Sequence, residues 1–372
     1  MLRVGIVGCG KIADSHAAQL VRISGCEIVG VCDREPLMAQ QLYERFPVKA
    51  WYREVAELLA REHPNVVHVT TPPESHYEIA KLCLEAGCHV YVEKPFTVNA
   101  TEAEDILNLA EKKGLKITAG HDDQFRPAAR RMRALVREGF LGGAPLHMES
   151  YYGYEMARTG YAGALLGDRQ HWVRRLPGGL AHNIISHGIA RIAEFLTIDS
   201  PDVIVYGFTS PRLTSLGESE IIDELRVIIA EEQRTTAYFT FSSQLRPSLH
   251  QFRVYGSKNG LILDQDQETL VCLRGKKFKS YAETFLAPVV MAHQYMKGMC
   301  SNIRLFAARE FHMKAGMKYL IEAFYRSIID DTPEPIPLGE ILRTARIMDS
   351  IFAQMRTRRE IRMGDALVGS GD

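Results

Sequence analysis

The stretch from Arg3 to Ala13 reads RVGIVGCGKIA, and it predicts the fold of the first third of the chain. Residues 3–7 are a near-continuous apolar run, typical of a parallel strand that is buried on both faces. Residues 11–22 carry apolar side chains at helical spacing. A strand, a glycine turn and a helix in this order predict the first unit of a doubly wound α/β domain.

The turn inside this stretch has the form GxGxxA. Gly8 permits the tight turn, Gly10 lets the backbone approach a pyrophosphate, and Ala13 allows close packing of the helix on the strand. The free N–H groups at the start of the helix, near Lys11 and Ile12, would face phosphate oxygens. The turn therefore predicts a dinucleotide-binding site.

A carboxylate follows at the position that contacts the ribose in such sites. Asp33 ends the next predicted strand, 20 residues after Ala13, where it can accept hydrogen bonds from both ribose hydroxyls. The same carboxylate would repel a 2′-phosphate, which favours NAD over NADP. Arg34 keeps NADP open, because an adjacent arginine can hold a 2′-phosphate.

The strand and helix alternation continues to residue 123, so we expect a Rossmann domain over residues 1–123. Its further predicted strands are 27–32, 66–70, 89–92 and 116–119. Its further predicted helices are 36–46, 53–61, 75–86 and 101–113.

From residue 124 the pattern changes to consecutive strands joined by short turns, which is typical of an antiparallel sheet. We expect an α+β substrate-binding and oligomerisation domain over 124–372, with a large, mostly antiparallel open sheet and helices on one face. Its predicted strands are 146–154, 202–209, 221–231, 234–243, 247–256 and 260–264. Its predicted helices are 127–138, 180–197, helical segments within 288–330, and 339–357, the last of which could pack back on the first domain. The glycine-rich tail 364–372 is expected to fray.

Composition excludes several classes of protein. Lysine plus arginine and aspartate plus glutamate balance at 45 each, so no overall field attracts nucleic acid or an acidic membrane. No apolar run approaches the length of a membrane span, and no leader is visible before the first strand. The seven cysteines lack metal-ligand spacing, which favours reduced thiols in a cytoplasmic protein and no metal site.

Strand 89–92 is followed by Glu93-Lys94-Pro95, at the carboxyl end of a parallel strand, where open α/β sheets bind their ligands. Pro95 disfavours helical backbone at Lys94. A lysine held there can donate to a substrate oxygen and stabilise an alkoxide. The alternative is an ordinary surface lysine in a βα loop.

Polar residues also follow strand 66–70, so we expect them in the same cleft as cofactor-binding groups. They are Thr70, Thr71, Pro72 and His76. His76 could instead only cap the helix that begins there.

Together these motifs resemble the Gfo/Idh/MocA oxidoreductase family, which includes glucose–fructose oxidoreductase and inositol dehydrogenases. The resemblance rests on GxGxxA, TPPxxH from Thr71 to His76, Glu-Lys-Pro, GHx₃FxP from Gly120 to Pro127, and the glycine pair before the helix near 180. It implies a Rossmann domain followed by a mostly antiparallel sheet domain, NAD(P) as the hydride carrier, and a sugar or inositol substrate. It also places Glu93, Lys94 and His121 among the cofactor-binding residues.

The resemblance extends to the segment Pro177–His187. In the family a Gly-Gly turn leads to a helix with an Asp and, four residues later, a His that is the usual candidate for the general base. His187 matches that His, whereas Asn183 stands in place of the Asp. Asn183 can bind substrate hydroxyls but cannot take a proton. Ala190 stands where many members have a second Asp, and His182 is a further candidate for substrate binding.

The loop 151–177 is rich in aromatic and basic residues and could bind a sugar ring. Its candidates for substrate binding are Tyr152, Tyr154, Trp172 and Arg174, with Tyr161 and Arg175 nearby. The arginines would suit a carboxylate or phosphate on the substrate. Ordinary sheet aromatics and a solvated loop are the alternative.

Residues 289–328 mix Met, Phe and basic residues at helical spacing, which indicates a core or subunit-contact helix rather than a membrane-surface helix. We expect a homodimer or homotetramer that assembles through the second-domain sheet.

Three functions remain open from the sequence. The first is an NAD-dependent dehydrogenase that acts on a secondary hydroxyl of a sugar, sugar derivative or inositol, with Lys94 polarising the oxygen and His187 taking the proton. The second is a redox-neutral enzyme that cleaves or eliminates a glycoside on tightly bound NAD. The third is a non-catalytic nucleotide-sensing regulator.

Overall fold

The computed structural model describes residues 1–155, 167–232, 234–275, 281–312 and 314–368. They form two compact units, which we call the amino-terminal unit (1–126 and 313–345) and the carboxy-terminal unit (127–312 and 346–372).

A six-stranded parallel sheet forms the centre of the amino-terminal unit, with strand order β3-β2-β1-β4-β5-β6. The strands are β1 Leu2–Val7, β2 Cys26–Cys32, β3 Trp51–Tyr52, β4 Val66–Val69, β5 His89–Val92 and β6 Ile117–Ala119. The helices between them are α1 Lys11–Leu20, α2 Pro36–Arg45, α3 Val55–Glu62, α4 His76–Glu85 and α5 Ala100–Lys113. This is the predicted doubly wound sheet, with the short edge strand β3 added.

The order of strands places the switch point of the sheet at β1 and β4, which pair side by side. From this point the strands that follow are added in opposite directions along the sheet, which leaves a crevice at the carboxyl ends of β1 and β4. The glycine turn after β1, the threonines after β4 and the Glu-Lys-Pro corner after β5 all lie at this edge.

The boundary between the units corrects the predicted second domain, 124–372. Helix α10, Ala315–Ile329, lies in the amino-terminal unit, although the sequence placed it in the second domain. The reason is its apolar face: Met317, Leu320 and Phe324 are buried in the same core as strands β1 and β4. A helix pattern identifies an apolar face but does not say which sheet it covers.

A seven-stranded sheet, with order β13-β12-β11-β7-β10-β9-β8, forms the carboxy-terminal unit. The strands are β7 His147–Gly153, β8 Asp202–Phe208, β9 Glu224–Glu231, β10 Thr235–Ser242, β11 Leu249–Tyr255, β12 Asn259–Asp264 and β13 Thr269–Arg274. The β7–β10 pair is parallel and the other pairs are antiparallel, as the sequence predicted for most of the sheet. Strand β13 was not predicted.

The helices of this unit are α6 Pro127–Arg137, α7 Gly179–Ala193, α8 Pro211–Ser215 and α9 Tyr281–Ala307. The last helix of the chain, α11 Leu338–Val368, starts in the amino-terminal unit and ends in the carboxy-terminal one. It continues beyond the predicted end at 357, which corrects the expected fraying from 364. Residues 369–372 lie outside the described part.

Helix α7 packs against the sheet through a glycine. A Cβ at Gly188 would collide with the ring of Phe239 on β10, which is fully buried. Ser150 of β7 donates a hydrogen bond of 2.9 Å to the carbonyl oxygen of Gly188. The helix therefore lies closer to the sheet than any larger residue at 188 would allow.

Within the described residues, no helix has the length and apolar character needed to cross a bilayer.

Candidate active site

The glycine turn after β1 has the geometry that a phosphate site needs. Gly8 has φ of +93°, and a Cβ there would lie 2.6 Å from the backbone nitrogen of Thr71. Gly10 is the N-cap of α1, and a Cβ built on it meets no atom within 4 Å. The first turn of a helix leaves its N–H groups without helical partners. At Gly10 the backbone is thus open to a ligand, and Lys11 is exposed beside it, with Ile12 half-buried.

Asp33 is tied to this turn. Its Oδ2 accepts a hydrogen bond of 2.7 Å from the backbone N–H of Cys9, and its Oδ1 accepts one of 2.9 Å from the N–H of Glu35. A carboxylate has further lone pairs after two such bonds, so it can still accept from a ribose. Arg34 is exposed next to it.

The residues after β4 support the turn from the side. The hydroxyl of Thr70 donates to the carbonyl oxygen of Gly8 at 2.6 Å. Thr71 is half-buried and Pro72 is exposed at the same edge. All three residues lie at the carboxyl edge of the sheet, and their contact with a cofactor stays a prediction.

His76 is fully buried beneath this edge. Its ring nitrogens lie 2.8 Å from the carbonyl oxygen of Thr71 and 2.9 Å from that of Pro95. Burial lowers the pKa of His76, although these carbonyl contacts oppose the change. The ring therefore links two loops of the site from behind, and the cofactor contact that the sequence suggested for it is corrected to a supporting one.

The Glu-Lys-Pro corner follows β5, and its Lys94–Pro95 peptide is cis. The carboxylate of Glu93 is buried, with one oxygen 2.8 Å from Nε2 of His16 and the other accepting from the N–H of Lys94 at 3.1 Å. Gly120 leaves room for it, because a Cβ there would be 3.0 Å from Glu93 Oε1. Burial alone raises the pKa of Glu93, but the hydrogen bond and charge of His16 outweigh it and lower the pKa to about 2.

Several charged side chains surround Lys94. Burial lowers the pKa of Lys94 below its ordinary value, and Glu93, Asp122 and Asp123 oppose that change. Burial and then Asp123 raise the pKa of Asp122 to about 7, against Lys314 and Lys94. Lys94 as a whole residue is partly exposed at this edge of the sheet.

A chain of hydrogen bonds runs from Glu93 into the core. His16 Nδ1 lies 2.7 Å from His68 Nδ1, and His68 Nε2 lies 2.8 Å from the hydroxyl of Tyr325. All three side chains are buried. Burial, then the neighbouring His16, lowers the pKa of His68 well below its ordinary value. With Glu93 ionised, His16 donates from Nε2 to its carboxylate, and a neutral His68 has one donor and one acceptor nitrogen for His16 and Tyr325.

In the carboxy-terminal unit, helix α7 carries the second group of predicted residues. Every residue from 180 to 193 is buried except Asn183 and His187. Four residues apart, they share one helix face. The helix thus leaves these two side chains the more accessible ones along 180–193, on the one face that their spacing predicts.

His182 does not share that face. It is 1% exposed, and its ring stacks on Phe352 of α11 with centroids 4.5 Å apart. The expected role of His182 in substrate binding is therefore corrected: its ring is part of the core. Position 178 shows the same close packing, because a Cβ on Gly178 would collide with Phe352.

The loop candidates lie in two places. The ring centroid of Tyr152 lies 5.6 Å from the guanidinium carbon of Arg191 and 4.5 Å from the ring centroid of His250. Tyr154 is 6.1 Å from the same His250 ring. Arg191 follows His187 by four residues, so it extends the α7 face towards Tyr152.

Trp172 and Arg174 belong to a 3₁₀ turn, Trp172–Arg175. Arg174 donates to Glu218 at 2.8 Å and lines a cavity of about 130 Å³ at the amino end of α7. Trp172 is half-buried beside the ring of His171. Tyr161 lies outside the described residues.

Several residues at these positions were not found from the sequence. His16, His68 and Tyr325 sit in helical or apolar strand patterns that indicate only core positions. Asp122 lies inside the GHx₃FxP stretch without standing out from it. His250 comes beside Tyr152 only through the pairing of β7 with β11, and Arg191 reaches Tyr152 from helix α7. His121 is buried at the start of the Asp122–Phe125 turn.

Residues 2–121 match the model of the oxidoreductase family with an NAD-binding Rossmann fold, GFO_IDH_MocA. This amino-terminal region is therefore similar to the Rossmann domain of that family. The match ends at His121, close to the end of the first segment of the amino-terminal unit.

Two relatives with curated names each match less than half of this chain. D-Glucoside 3-dehydrogenase from Escherichia coli is 34% identical over 142 residues, which are 38% of this chain and 40% of the relative. UDP-N-acetylglucosamine 3-dehydrogenase from Acidithiobacillus ferrooxidans is 30% identical over 149 residues, which are 40% of this chain and 44% of the relative. The chain thus spans less than half the length of these relatives.

The solved structures extend the likeness of the fold to nearly the whole chain. The WlbA dehydrogenase from Bordetella pertussis, solved in complex with NADH and UDP-GlcNAcA, superposes with a TM-score of 0.75 over 96% of both chains at 14% identity. At this identity the likeness concerns the fold alone.

Proposed function

We propose that the protein is an NAD-dependent oxidoreductase that acts on a secondary hydroxyl, or the corresponding ketone, of a sugar, sugar derivative or inositol. The observation that carries the proposal is Lys94, held at the carboxyl end of β5 beside an ionised Glu93, on the same sheet edge as the open glycine turn. A cation on that edge can stabilise negative charge on a substrate oxygen.

The nucleotide site fits the residues that are present. The open face at Gly10, the free N–H groups of α1 and the Asp33 carboxylate would hold the pyrophosphate and the adenosine ribose. NAD supplies a hydride acceptor when it is bound. Asp33 supports NAD over NADP because its carboxylate would repel a 2′-phosphate, and Arg34 is the residue through which NADP could still bind.

Lys94 and His187 divide the proton and charge transfer in this proposal. The Lys94 ammonium donates a hydrogen bond to the oxygen that is oxidised and stabilises the negative charge that develops on it. The imidazole of His187 takes the hydroxyl proton, a role that suits a group with an ordinary pKa near neutrality. Asn183, on the same face, orients the substrate through its amide.

Tyr152, Tyr154 and Trp172 are the proposed substrate-binding aromatics. The named activities of the relatives, on a D-glucoside and on UDP-N-acetylglucosamine, support a carbohydrate as the substrate class. We expect the chain to work without a metal ion.

The test is a screen of sugars, uronic acids, nucleotide-linked sugars and inositols with NAD and NADP, followed through the absorbance of the reduced nicotinamide. On the substrate that is found, Lys94→Ala and His187→Ala should each lower kcat by roughly 10²–10⁴-fold. Binding of NAD, measured by fluorescence titration, should stay within a few-fold for His187→Ala. Asn183→Ala is the matched change on the same helix face and should raise KM more than it lowers kcat.

Turnover of either catalytic variant near the wild-type rate would refute the role of that residue. Tight NAD binding with no reduction of the cofactor, but with a changed sugar product, would replace the dehydrogenase by the redox-neutral reaction. NAD binding with no chemical change to any compound would leave the nucleotide-sensing regulator.

A further inference from the structure

Helix α9, Tyr281–Ala307, has one face on its own sheet and an apolar face towards solvent. On the inner side, Gln294 accepts a hydrogen bond of 2.8 Å from the N–H of Cys272 on β13 and donates one of 3.1 Å to its carbonyl oxygen. Asn302 donates to the carbonyl oxygen of Gln267 at 3.0 Å. These contacts fix which way the helix faces.

The opposite side carries what we call the outer stripe. Its members are Phe285, Val289, Ala292, Met296, Met299, Ile303 and Phe306. They are separated by alternating steps of four and three residues, which is the spacing of the seam of a coiled coil. All seven are exposed, with Phe285 at 70% and Phe306 at 72%. A helix that is already packed on its sheet has no need of a second apolar seam for its own fold.

The area of the stripe suits a specific protein interface. From their exposed fractions, its large side chains present on the order of 700 Å². A stable interface usually buries about 800 Å² of each partner. Patches of this size on soluble proteins commonly mark interaction sites.

The residues that flank the outer stripe favour a second copy of this chain as its binding partner. The residues that border it are uncharged, namely Leu286, His293 and Cys300 on one side and Pro288, Tyr295 and Asn302 on the other. Two identical helices can therefore meet without like charges in contact. A helix that lies on a membrane usually has many basic residues on its polar face, whereas α9 has only Lys297 and Arg304.

The order of large and small residues favours an antiparallel pair. With a two-fold axis between positions 297 and 298, Met296 faces Met299 of the copy. Ala292 then faces Ile303, and Val289 faces Phe306. In a parallel pair each residue would face itself, which sets Ala292 against Ala292 and leaves a gap. Close packing disfavours such a gap.

A groove lies beside the carboxyl half of the helix and would receive the copy. It has a volume of about 560 Å³ and is lined by Met296, Met299, Ile303, Phe306 and Phe311, among others. In the antiparallel pair, Val289 and Phe285 of the second copy lie over it. Large side chains seated in such grooves contribute most of the binding energy of an interface.

We infer that α9 is a two-fold interface, at which two copies of this chain pair their outer stripes in antiparallel orientation. This inference does not depend on the proposed function. It is also separate from assembly through the open sheet, which stays a prediction.

Cysteine cross-linking tests the orientation. In a Cys300→Ser background, we expect protein with Val289→Cys and protein with Phe306→Cys to form a disulfide-linked dimer when they are mixed and mildly oxidised. Neither alone should link, because equivalent residues would be about 25 Å apart along the helices. Linking of Val289→Cys protein with itself would overturn the antiparallel pair.

Mass measurement tests the interface itself. Met296→Glu places a charge at the centre of the stripe, and analytical ultracentrifugation should then show particles of half the wild-type mass, with association weakened by roughly 30-fold or more. Lys297→Glu is the matched control, since its side chain leaves the stripe, and it should keep the wild-type mass. Both positions are exposed, so neither change threatens folding.

An unchanged mass for Met296→Glu, together with no cross-link in the mixture, would overturn the inference. So would a wild-type monomer that floats with vesicles of phosphatidylcholine and phosphatidylglycerol and loses this binding on Met296→Glu, because the stripe would then cover a membrane surface.

Discussion

The two groups of candidate site residues are held in place by different forces. Around Lys94, buried charges and imidazoles bond to one another: Glu93 with His16, His16 with His68, and His68 with Tyr325. Around His187, apolar packing sets the position, since Gly188 lies against Phe239 and the neighbouring α7 residues are buried.

The two regions should therefore respond differently to mutation. Removing one partner of a buried, hydrogen-bonded charge strongly lowers the free energy of unfolding, and the size of this decrease depends on pH. A helix that is positioned by close packing is sensitive to volume, and its response does not depend on pH. Three substitutions test this difference between the two regions.

The largest effect is expected at His16. His16→Leu keeps most of the volume but leaves the Glu93 carboxylate buried without its partner, which should lower the free energy of unfolding by about 3 kcal/mol at neutral pH. Urea unfolding followed by circular dichroism would measure it. Tyr325→Phe removes one hydrogen bond at the far end of the chain and should cost only about 1 kcal/mol.

The effect of His16→Leu should shrink in acid. The pKa of Glu93 is lowered in the folded protein from 4.5 to about 2. Its stabilising contribution is therefore complete above pH 4.5 and is lost as the pH falls towards 2. In the variant, burial without His16 favours the protonated acid. A cost that stays constant between pH 7 and pH 3 would contradict an ionised Glu93 held by His16.

The second effect is at Gly188, where volume is the limit. Gly188→Ala should lower the free energy of unfolding by about 1–2 kcal/mol, because the collision with Phe239 exceeds the gain in helix propensity. The loss should be equal at pH 5 and pH 8. In a double-mutant cycle, Gly188→Ala added to Phe239→Leu should cost much less than it does alone. Independent, additive costs would show that the ring does not set the helix position.

The smallest effect is expected at Asp122 and has the opposite sign. Burial and Asp123 raise the pKa of Asp122 from 3.8 to about 7, so the wild type loses stability as the pH rises through that range. Because Asp122 is partly exposed, solvent screens much of this penalty. Asp122→Asn should therefore stabilise the protein by only about 1 kcal/mol at pH 8 and hardly at all at pH 4. The melting temperature at the two pH values would measure this.

Asp105→Asn is the matched control for this change. A hydrogen bond from Tyr77 lowers the pKa of Asp105, so its removal should bring no gain at pH 8. Destabilisation by Asp122→Asn at pH 8 would mean that the Asp122 carboxylate is favourable where it lies.

Local sequence determined the amino-terminal edge because its signals lie within a few residues of each other. The glycine turn, Asp33 at the end of β2 and Glu93-Lys94 at the end of β5 are each set by a strand end or a turn. Parallel strands bring their carboxyl ends to one edge, so these short motifs suffice to place a site. On α7, helical periodicity alone put Asn183 and His187 on one face.

The contacts between side chains that are distant in sequence followed only from the tertiary structure. Tyr325 bonds to His68 across 257 residues of chain, and no local pattern reports such a contact. Sequence patterning made His76 and His182 look like ligand groups, whereas packing placed one behind the loops and the other against Phe352. Periodicity says that a residue faces inward or outward, but the elements that cover it are chosen by the free energy of the whole fold, through burial and long-range pairing.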